Sequence, residues 1–168
     1  LPTPAQLGRK LTLEDLIAAE LTPKEITRLI YDWSLWARKA QLPPHNPQSA
    51  NYNHADPALN WEIWLALAGR GWGKTRTGAE TVLDAVDQGY RRIAILAPTT
   101  ADTRDVVTEG ESGIMSVAHP SKRPTYEPSK RRLTFPNGAI ATLYSAEEPE
   151  RLRGPQHDFI WMDEIAAW

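Results

Sequence analysis

The 168-residue chain contains no cysteine, which excludes disulfides, thiol redox chemistry and any thiolate-bound metal. No stretch approaches the roughly 18 consecutive apolar residues of a membrane-spanning helix, so no membrane partner is expected. Leu1-Pro2-Thr3-Pro4 lacks the basic-then-apolar order of a secretory signal, and the cytoplasm is the expected compartment. An excess of one charge is also missing: 19 Lys+Arg stand against 21 Asp+Glu, a formal net charge of -2. Nothing global draws such a chain to a polyanion, so nucleic-acid binding would need a local patch. There is no internal repeat and no low-complexity tract. What remains is 41% apolar, enough for a core without cross-links, since about two thirds of the unfolded surface is buried at this length.

Two helices are predicted at the start. Thr12 precedes Glu14 and Asp15, and Thr22-Pro23-Lys24-Glu25 forms a capping box with proline at the first helical position. From Ile26 through Leu29, Ile30, Trp33, Trp36 and Ala37 the apolar spacing is helical and carries the second helix to about Ala40. Leu42-Pro43-Pro44 and the polar stretch 46–56 read as a long surface connection. The predicted division is therefore a helical segment and linker over 1–60 and an α/β core over 61–168.

The core begins with Trp61-Glu62-Ile63-Trp64-Leu65-Ala66-Leu67-Ala68, an apolar run of strand length that leads into Gly69-Arg70-Gly71-Trp72-Gly73-Lys74-Thr75. A helix follows over Thr77 to Gln88 and ends at Gly89. Arg92 to Ala97 is a second short strand, with a helix predicted from Ala101 to about Glu109. This βαβα order predicts a mostly parallel sheet with helices on both faces. The segment from Pro120 to Arg132 reads as a surface loop. Leu133-Thr134-Phe135 and Ile140 to Tyr144 flank Pro136-Asn137-Gly138-Ala139, a predicted β-hairpin whose Asn-Gly supplies positive φ angles. The last strand is Phe159-Ile160-Trp161-Met162, closed by Asp163-Glu164.

The glycine segment fits a phosphate loop (Walker A), with Ala68 where the strict pattern has glycine. A loop between a strand and a helix aims backbone N–H groups and the helix dipole at a polyphosphate. Lys74 would reach the β- and γ-phosphates, and the Thr75 hydroxyl would take Mg2+. The plainer alternative is a turn that merely lets strand and helix pack closely, with Lys74 a surface charge. Asp163 and Glu164 resemble the second half of such a site (Walker B), at the carboxyl end of a strand, where ligands sit in open α/β sheets. Asp163 would hold the metal and Glu164 would polarise the attacking water; adjacent acids also occur as ordinary strand-end charges. At least one strand separates Lys74 from Asp163, which suits the ATPases that carry their own glutamate base, the ASCE type of P-loop NTPase. The Asn-Lys-x-Asp guanine signature is absent, so ATP hydrolysis is favoured over GTP switching or phosphorylation of a small molecule.

These residues resemble the large terminase subunit, the DNA-packaging ATPase of tailed bacteriophages and gene transfer agents. The resemblance rests on Trp36 to Pro44, on the loop from Leu67 to Glu80, on Leu96-Ala97-Pro98-Thr99, and on Glu150-Arg151-Leu152-Arg153-Gly154-Pro155-Gln156-His157 ahead of Asp163-Glu164. It implies a motor that couples ATP hydrolysis to moving double-stranded DNA into a procapsid. Its implied partners are a portal protein, a small terminase subunit and further copies of itself in a ring, and its place is the portal in the host cytoplasm. By position, Gln41 would read the adenine. Gly69, Arg70, Gly71, Trp72, Gly73, Lys74, Thr75 and Arg76 would bind ATP, with Arg70 on the γ-phosphate, and Arg153 would be an arginine finger offered to a neighbouring subunit. Without the resemblance, Arg153 reads equally as a rim arginine paired with Glu147, Glu148 or Glu150, and Gln41 as a polar residue leaving a helix. Lys122, Arg123, Lys130, Arg131 and Arg132 read as a solvated face or as a track for a DNA backbone. Trp33, Trp36, Trp61 and Trp64 read as core, and Trp72 as a cover for the nucleotide. The histidines show no metal-ligand spacing. Large terminases continue past this point with further strands and a nuclease domain, so the chain is expected to be an ATPase-domain fragment. A helicase-like ATPase and a fragment that binds nucleotide without turnover remain alternatives.

Overall fold

The computed structural model describes residues 21–43 and 62–168. The helix predicted after Thr12, the polar connection at 46–56 and Trp61 lie outside them. The chain divides into two compact units between Leu42 and Pro43.

In the first unit, α1 (Pro23–Ile30) starts on the predicted capping box. The Thr22 hydroxyl accepts from the Glu25 N–H at 3.3 Å, and the Glu25 carboxylate accepts from the Thr22 N–H at 2.9 Å. The predicted run to Ala40 does not hold. Asp32 accepts from the Ser34 N–H at 3.1 Å and starts a separate turn, α2 (Trp33–Trp36), followed by a 3-10 turn over Lys39–Gln41. A short acid that bonds its own backbone two residues on competes with the continuing helix.

In the second unit, a five-stranded sheet has the order β2-β3-β4-β1-β5, with β1 (Arg92–Ala97), β2 (Thr125–Glu127), β3 (Arg132–Thr134), β4 (Ile140–Ser145) and β5 (Phe159–Met162). The sheet is mixed rather than mostly parallel. Strand β1 runs parallel to β4 and β5, whereas β2–β3 and β3–β4 are antiparallel. Thr125 to Glu127, inside the predicted loop, is the edge strand β2.

The hairpin is present, with a different turn. Of Asn137 and Gly138 only Gly138 takes a positive φ, 85°, and its N–H donates to the Phe135 carbonyl at 2.9 Å. A turn through Pro136 and Asn137 with a left-handed glycine after it is the three-residue hairpin class, not the two-residue class that Asn-Gly suggests.

Among the described residues three α- or π-helical segments accompany the sheet, besides 3-10 turns over Pro128–Lys130, Pro149–Leu152 and Ile165–Ala167. Helix α3 (Lys74–Asp87) is followed by Gly89 at φ 101°, as predicted. The turn α4 (Thr100–Asp102) runs into a π-helix over Thr103–Thr108 where an α-helix was expected. The buried Thr108 hydroxyl donates to the Thr103 carbonyl five residues back, at 2.7 Å, which supports the wider turn. The third is α5 (Ile114–Val117). Ala79, Val82 and Val86 of α3, Val107 of the π-helix, and Ile114 and Val117 of α5 pack on Ile93, Ile95, Ala97, Ala141 and Leu143. Among the described residues the helices α3 and α5 and the π-helix thus share one face. The other face carries a smaller cluster, Ala94, Leu96 and Tyr144 with Leu152.

The largest departure concerns residues 62–68, predicted as a buried strand. They form no strand, and Ile63 and Leu67 are 85% and 87% exposed. An apolar run becomes a strand only where a neighbouring edge satisfies its backbone groups. Among the described residues β5 is one edge of the sheet, and residues 62–68 do not pair with it.

Candidate functional site

The glycine segment adopts the shape its composition suggests. Gly71 and Gly73 have φ of 78° and 89°, and left-handed Gly73 caps α3 with its backbone alone. A side chain at these positions would oppose the turn. The Thr77 N–H bonds the Gly73 carbonyl at 2.9 Å, so the loop passes straight into the helix. A helix of this length presents its free N-terminal N–H groups and the positive end of its dipole to an anion.

Two contacts join this loop to the end of β5, 88 and 90 residues away in sequence. The Thr75 hydroxyl donates to Asp163 Oδ2 at 3.5 Å, and Lys74 Nζ lies 3.4 Å from Glu164 Oε1. Lys74 Nζ also donates to the Ala68 carbonyl at 3.1 Å. Asp163 follows β5 directly, and its N–H is anchored on the Leu96 carbonyl at 2.8 Å. Glu164 has φ 49° and ψ 44°, one of two non-glycine residues at positive φ among those described. Such backbone is costly and concentrates at functional sites.

A cleft of about 430 Å3 opens here, within the range of about 300–1,000 Å3 common for small-molecule sites. One wall is the loop and helix start, Gly69 to Arg76, with Glu164. The other is Asp105, Val106 and Gly110 to Ser112, at the end of the π-helix. This second wall had no signal in the sequence. A smaller cavity of about 110 Å3, between Arg104, Tyr126 and Arg131, contains none of the loop residues.

The Asp163 side chain is 6% exposed, and burial pushes its carboxyl above the ordinary range, with the neighbouring Glu164 charge adding to the effect. The Thr75 hydrogen bond and Lys74 oppose it. A group whose folded pKa is raised binds its proton more tightly in the folded chain, so its contribution to stability falls as pH rises through the folded value. At neutral pH ionised Asp163 therefore opposes folding. Asp163→Asn is expected to raise Tm at pH 7, with the gain shrinking as the pH falls through the raised folded value and gone once it is below the ordinary carboxylate range. Thermal unfolding of both chains across pH checks this.

A hydroxyl and a carboxylate are the hard oxygen donors that suit Mg2+, and a buried carboxylate held against its preference is the group a cation would relieve. Among the described residues no group of three or more His, Cys, Asp or Glu is placed to hold a metal. An ion between Thr75 and Asp163 would take its other ligands from phosphate oxygens and water, the usual habit of Mg2+.

The family comparison bears on these residues directly. Residues 65–168, well over half of the chain, match the family model for the terminase large subunit, T4likevirus-type, N-terminal. The chain belongs to this family. No match was found among curated proteins or among solved structures. Membership implies a component of a DNA-packaging motor. The matched span contains the loop, the second cleft wall and the Asp163-Glu164 pair.

The structure brings most of the expected site residues together and leaves some apart. Gly69 through Arg76 and Glu164 line one cleft, with Asp163 behind Thr75. Arg76 Nε also donates to Glu80 at 2.8 Å, and burial raises the Glu80 carboxyl while the Arg76 charge opposes the rise. Arg153 is 80% exposed and pairs with Glu150 at 2.8 Å, as the rim-arginine reading has it. Gln41 belongs to the first unit, where its side-chain oxygen accepts from the Arg38 N–H at 3.0 Å.

The basic run is largely neutralised locally. Lys122 pairs with Asp87, Lys130 and Arg132 with Glu127, and Arg131 with Glu148, while Arg123 donates to the Ala118 carbonyl. This favours the solvated-face reading over a phosphate track, which needs cations without acids beside them.

Proposed function

We propose that this chain is the ATP-hydrolysing domain of a DNA-packaging motor, a P-loop NTPase of the ASCE type. The observation that carries the reading is the double contact of Thr75 with Asp163 and Lys74 with Glu164, because it assembles a phosphate-binding loop, a hydroxyl–carboxylate pair and a second acid at one cleft. ATP lies with its phosphates against the backbone N–H groups of the loop and the Lys74 ammonium, and Arg70 approaches the γ-phosphate. Mg2+ would be held by Thr75 and Asp163 and would supply charge neutralisation on the phosphate oxygens. Glu164 accepts the proton of a water as its oxygen attacks the γ-phosphorus, the bond to the bridging oxygen breaks, and ADP and phosphate leave. Trp72 covers the nucleotide.

The remaining parts of the proposal rest on the resemblance to large terminases; the matched span contains Arg153 but not Gln41. Gln41 contacts the adenine, and Arg153, exposed and tied only to an exposed acid, acts on the nucleotide of a neighbouring copy in a ring. The work done is translocation of double-stranded DNA into a procapsid at the portal, in the host cytoplasm, with the small terminase subunit as a further partner. The direct test is phosphate release from ATP by this chain with Mg2+, against EDTA and against GTP. Mg2+-dependent turnover that favours ATP is expected. Failure to bind ATP with Mg2+ present would contradict the reading.

A further inference from the structure

Gly78 lies in the interior of α3, where glycine is the poorest residue after proline. Its φ is not positive, so its backbone freedom is not in use there. What the position uses is the missing side chain. A Cβ built on Gly78 would stand 2.1 Å from Trp161 Cε2 and 2.3 Å from both Cζ2 and Nε1. Trp161 belongs to β5 and is packed against the main core beside Ile95, its partner in the sheet register. The indole is a rigid double ring with the core behind it, so a methyl group at Gly78 is accommodated mainly by moving helix and strand apart.

The same two elements carry the expected metal ligands. Thr75 precedes Gly78 by three residues, which places both on one face of α3 a turn apart. Asp163 follows Trp161 by two residues, just past the end of β5, and continues its alternation: Trp161 and Asp163 turn inward while Met162 between them is exposed. The packing contact and the Thr75–Asp163 contact are thus neighbouring rungs between one helix and one strand. The thickness of the first sets the span of the second.

We infer that Gly78 and Trp161 form a spacer that fixes the distance between Thr75 and Asp163, making Gly78 a positioning residue for the divalent ion. The inference rests on the proposed function and adds to it a residue that touches neither nucleotide nor metal. To bring the nearest contact to 3.0 Å, Gly78→Ala must part the two elements by about 1 Å, a misplacement of the size that costs on the order of a hundredfold at a metal or catalytic centre.

The test is calorimetric titration of the chain with ATPγS, once in Mg2+ and once in EDTA, alongside thermal unfolding. Gly78→Ala is expected to bind ATPγS in EDTA as the unaltered chain does and to lose about 10–100-fold of the gain that Mg2+ brings. A residue with a purely structural role would lower Tm without separating the two titrations. Gly78→Ala/Trp161→Leu removes the ring that the new methyl meets and is expected to recover the Mg2+ gain. An undiminished Mg2+ gain in Gly78→Ala overturns the inference. A double variant that folds but shows no Mg2+ gain also overturns it, including where Gly78→Ala alone does not fold. If the unaltered chain itself shows no Mg2+-dependent binding, the functional reading falls and this inference with it; an unaltered chain that binds, with Gly78→Ala binding equally well, defeats only the spacer.

Discussion

Lys74→Ala is expected to weaken ATP binding by about a hundredfold or more, near 3 kcal/mol, while leaving Tm close to its original value. The two parts of this expectation have different causes. Lys74 is the first residue of α3, where alanine is at least as good a helix former. Its ion pair with Glu164 joins side chains that are 26% and 55% exposed, and pairs of that kind contribute little to folding. Removing Lys74 costs the empty protein little, mainly the part-buried hydrogen bond to the Ala68 carbonyl and the charge that offsets the burial of Asp163. In the proposed bound state the ammonium would lie in the cleft against phosphate oxygens, where truncation leaves anionic charge without its partner. Calorimetric titration with ATP and Mg2+, together with thermal unfolding, separates binding from folding. Wild-type affinity in the variant would defeat the assignment of the glycine loop to phosphate binding.

Glu164→Gln is expected to keep ATP binding and to lower turnover by about 10²–10⁴-fold, the usual contribution of a positioned general base. The amide preserves size and can still hold a water, but it cannot accept the proton. Lys74 is shared between the Ala68 carbonyl and Glu164, so a polyphosphate entering the cleft competes with Glu164 for the ammonium. Without the carboxylate that competition disappears, and affinity for ATP stays level or improves. The contrast with Lys74→Ala is diagnostic, since one variant loses binding and the other only chemistry. Single-turnover phosphate release on saturated protein measures it. Turnover unchanged in Glu164→Gln would remove that residue from the reaction.

The parts of this site that were legible in the sequence are those built by local rules. Gly71 and Gly73 announce a turn that needs positive φ, the helix after them follows its apolar period to Gly89, and Phe159 to Met162 ends in two acids at the carboxyl end of a strand. The strand predicted over 61–68 failed because pairing is not a property of the run itself. Ile63, Leu65 and Leu67 alternate as a strand does, yet whether they join a sheet depends on an edge elsewhere. Strand β2 escaped notice since Thr125-Tyr126-Glu127 is short and set among prolines and bases, and its partner β3 supplies the order.

The π-helix is accompanied by a threonine hydroxyl that reaches back five residues, a contact that no period reveals. The π-helix carries Asp105 and Val106 of the second cleft wall. The spacer of Gly78 and Trp161 was hidden for a similar reason, as its two residues stand 83 positions apart and only the packed structure shows the missing Cβ in use. The basic run shows the reverse case. Five cations close in sequence suggested a track for DNA, but the fold sets Asp87, Glu127 and Glu148 beside four of them.

The assembly of a divalent-ion site from Thr75 and Asp163 on top of the glycine loop is most directly tested with Mn2+ in place of Mg2+, by following the paramagnetic resonance of the free aqueous ion. With ATPγS present, the chain is expected to take more Mn2+ out of that signal than the same ATPγS does without protein, and Asp163→Asn, folded and at least as stable at pH 7, is expected to add nothing to the uptake by the nucleotide. Equal Mn2+ uptake by Asp163→Asn would contradict the site and the motor reading built on it.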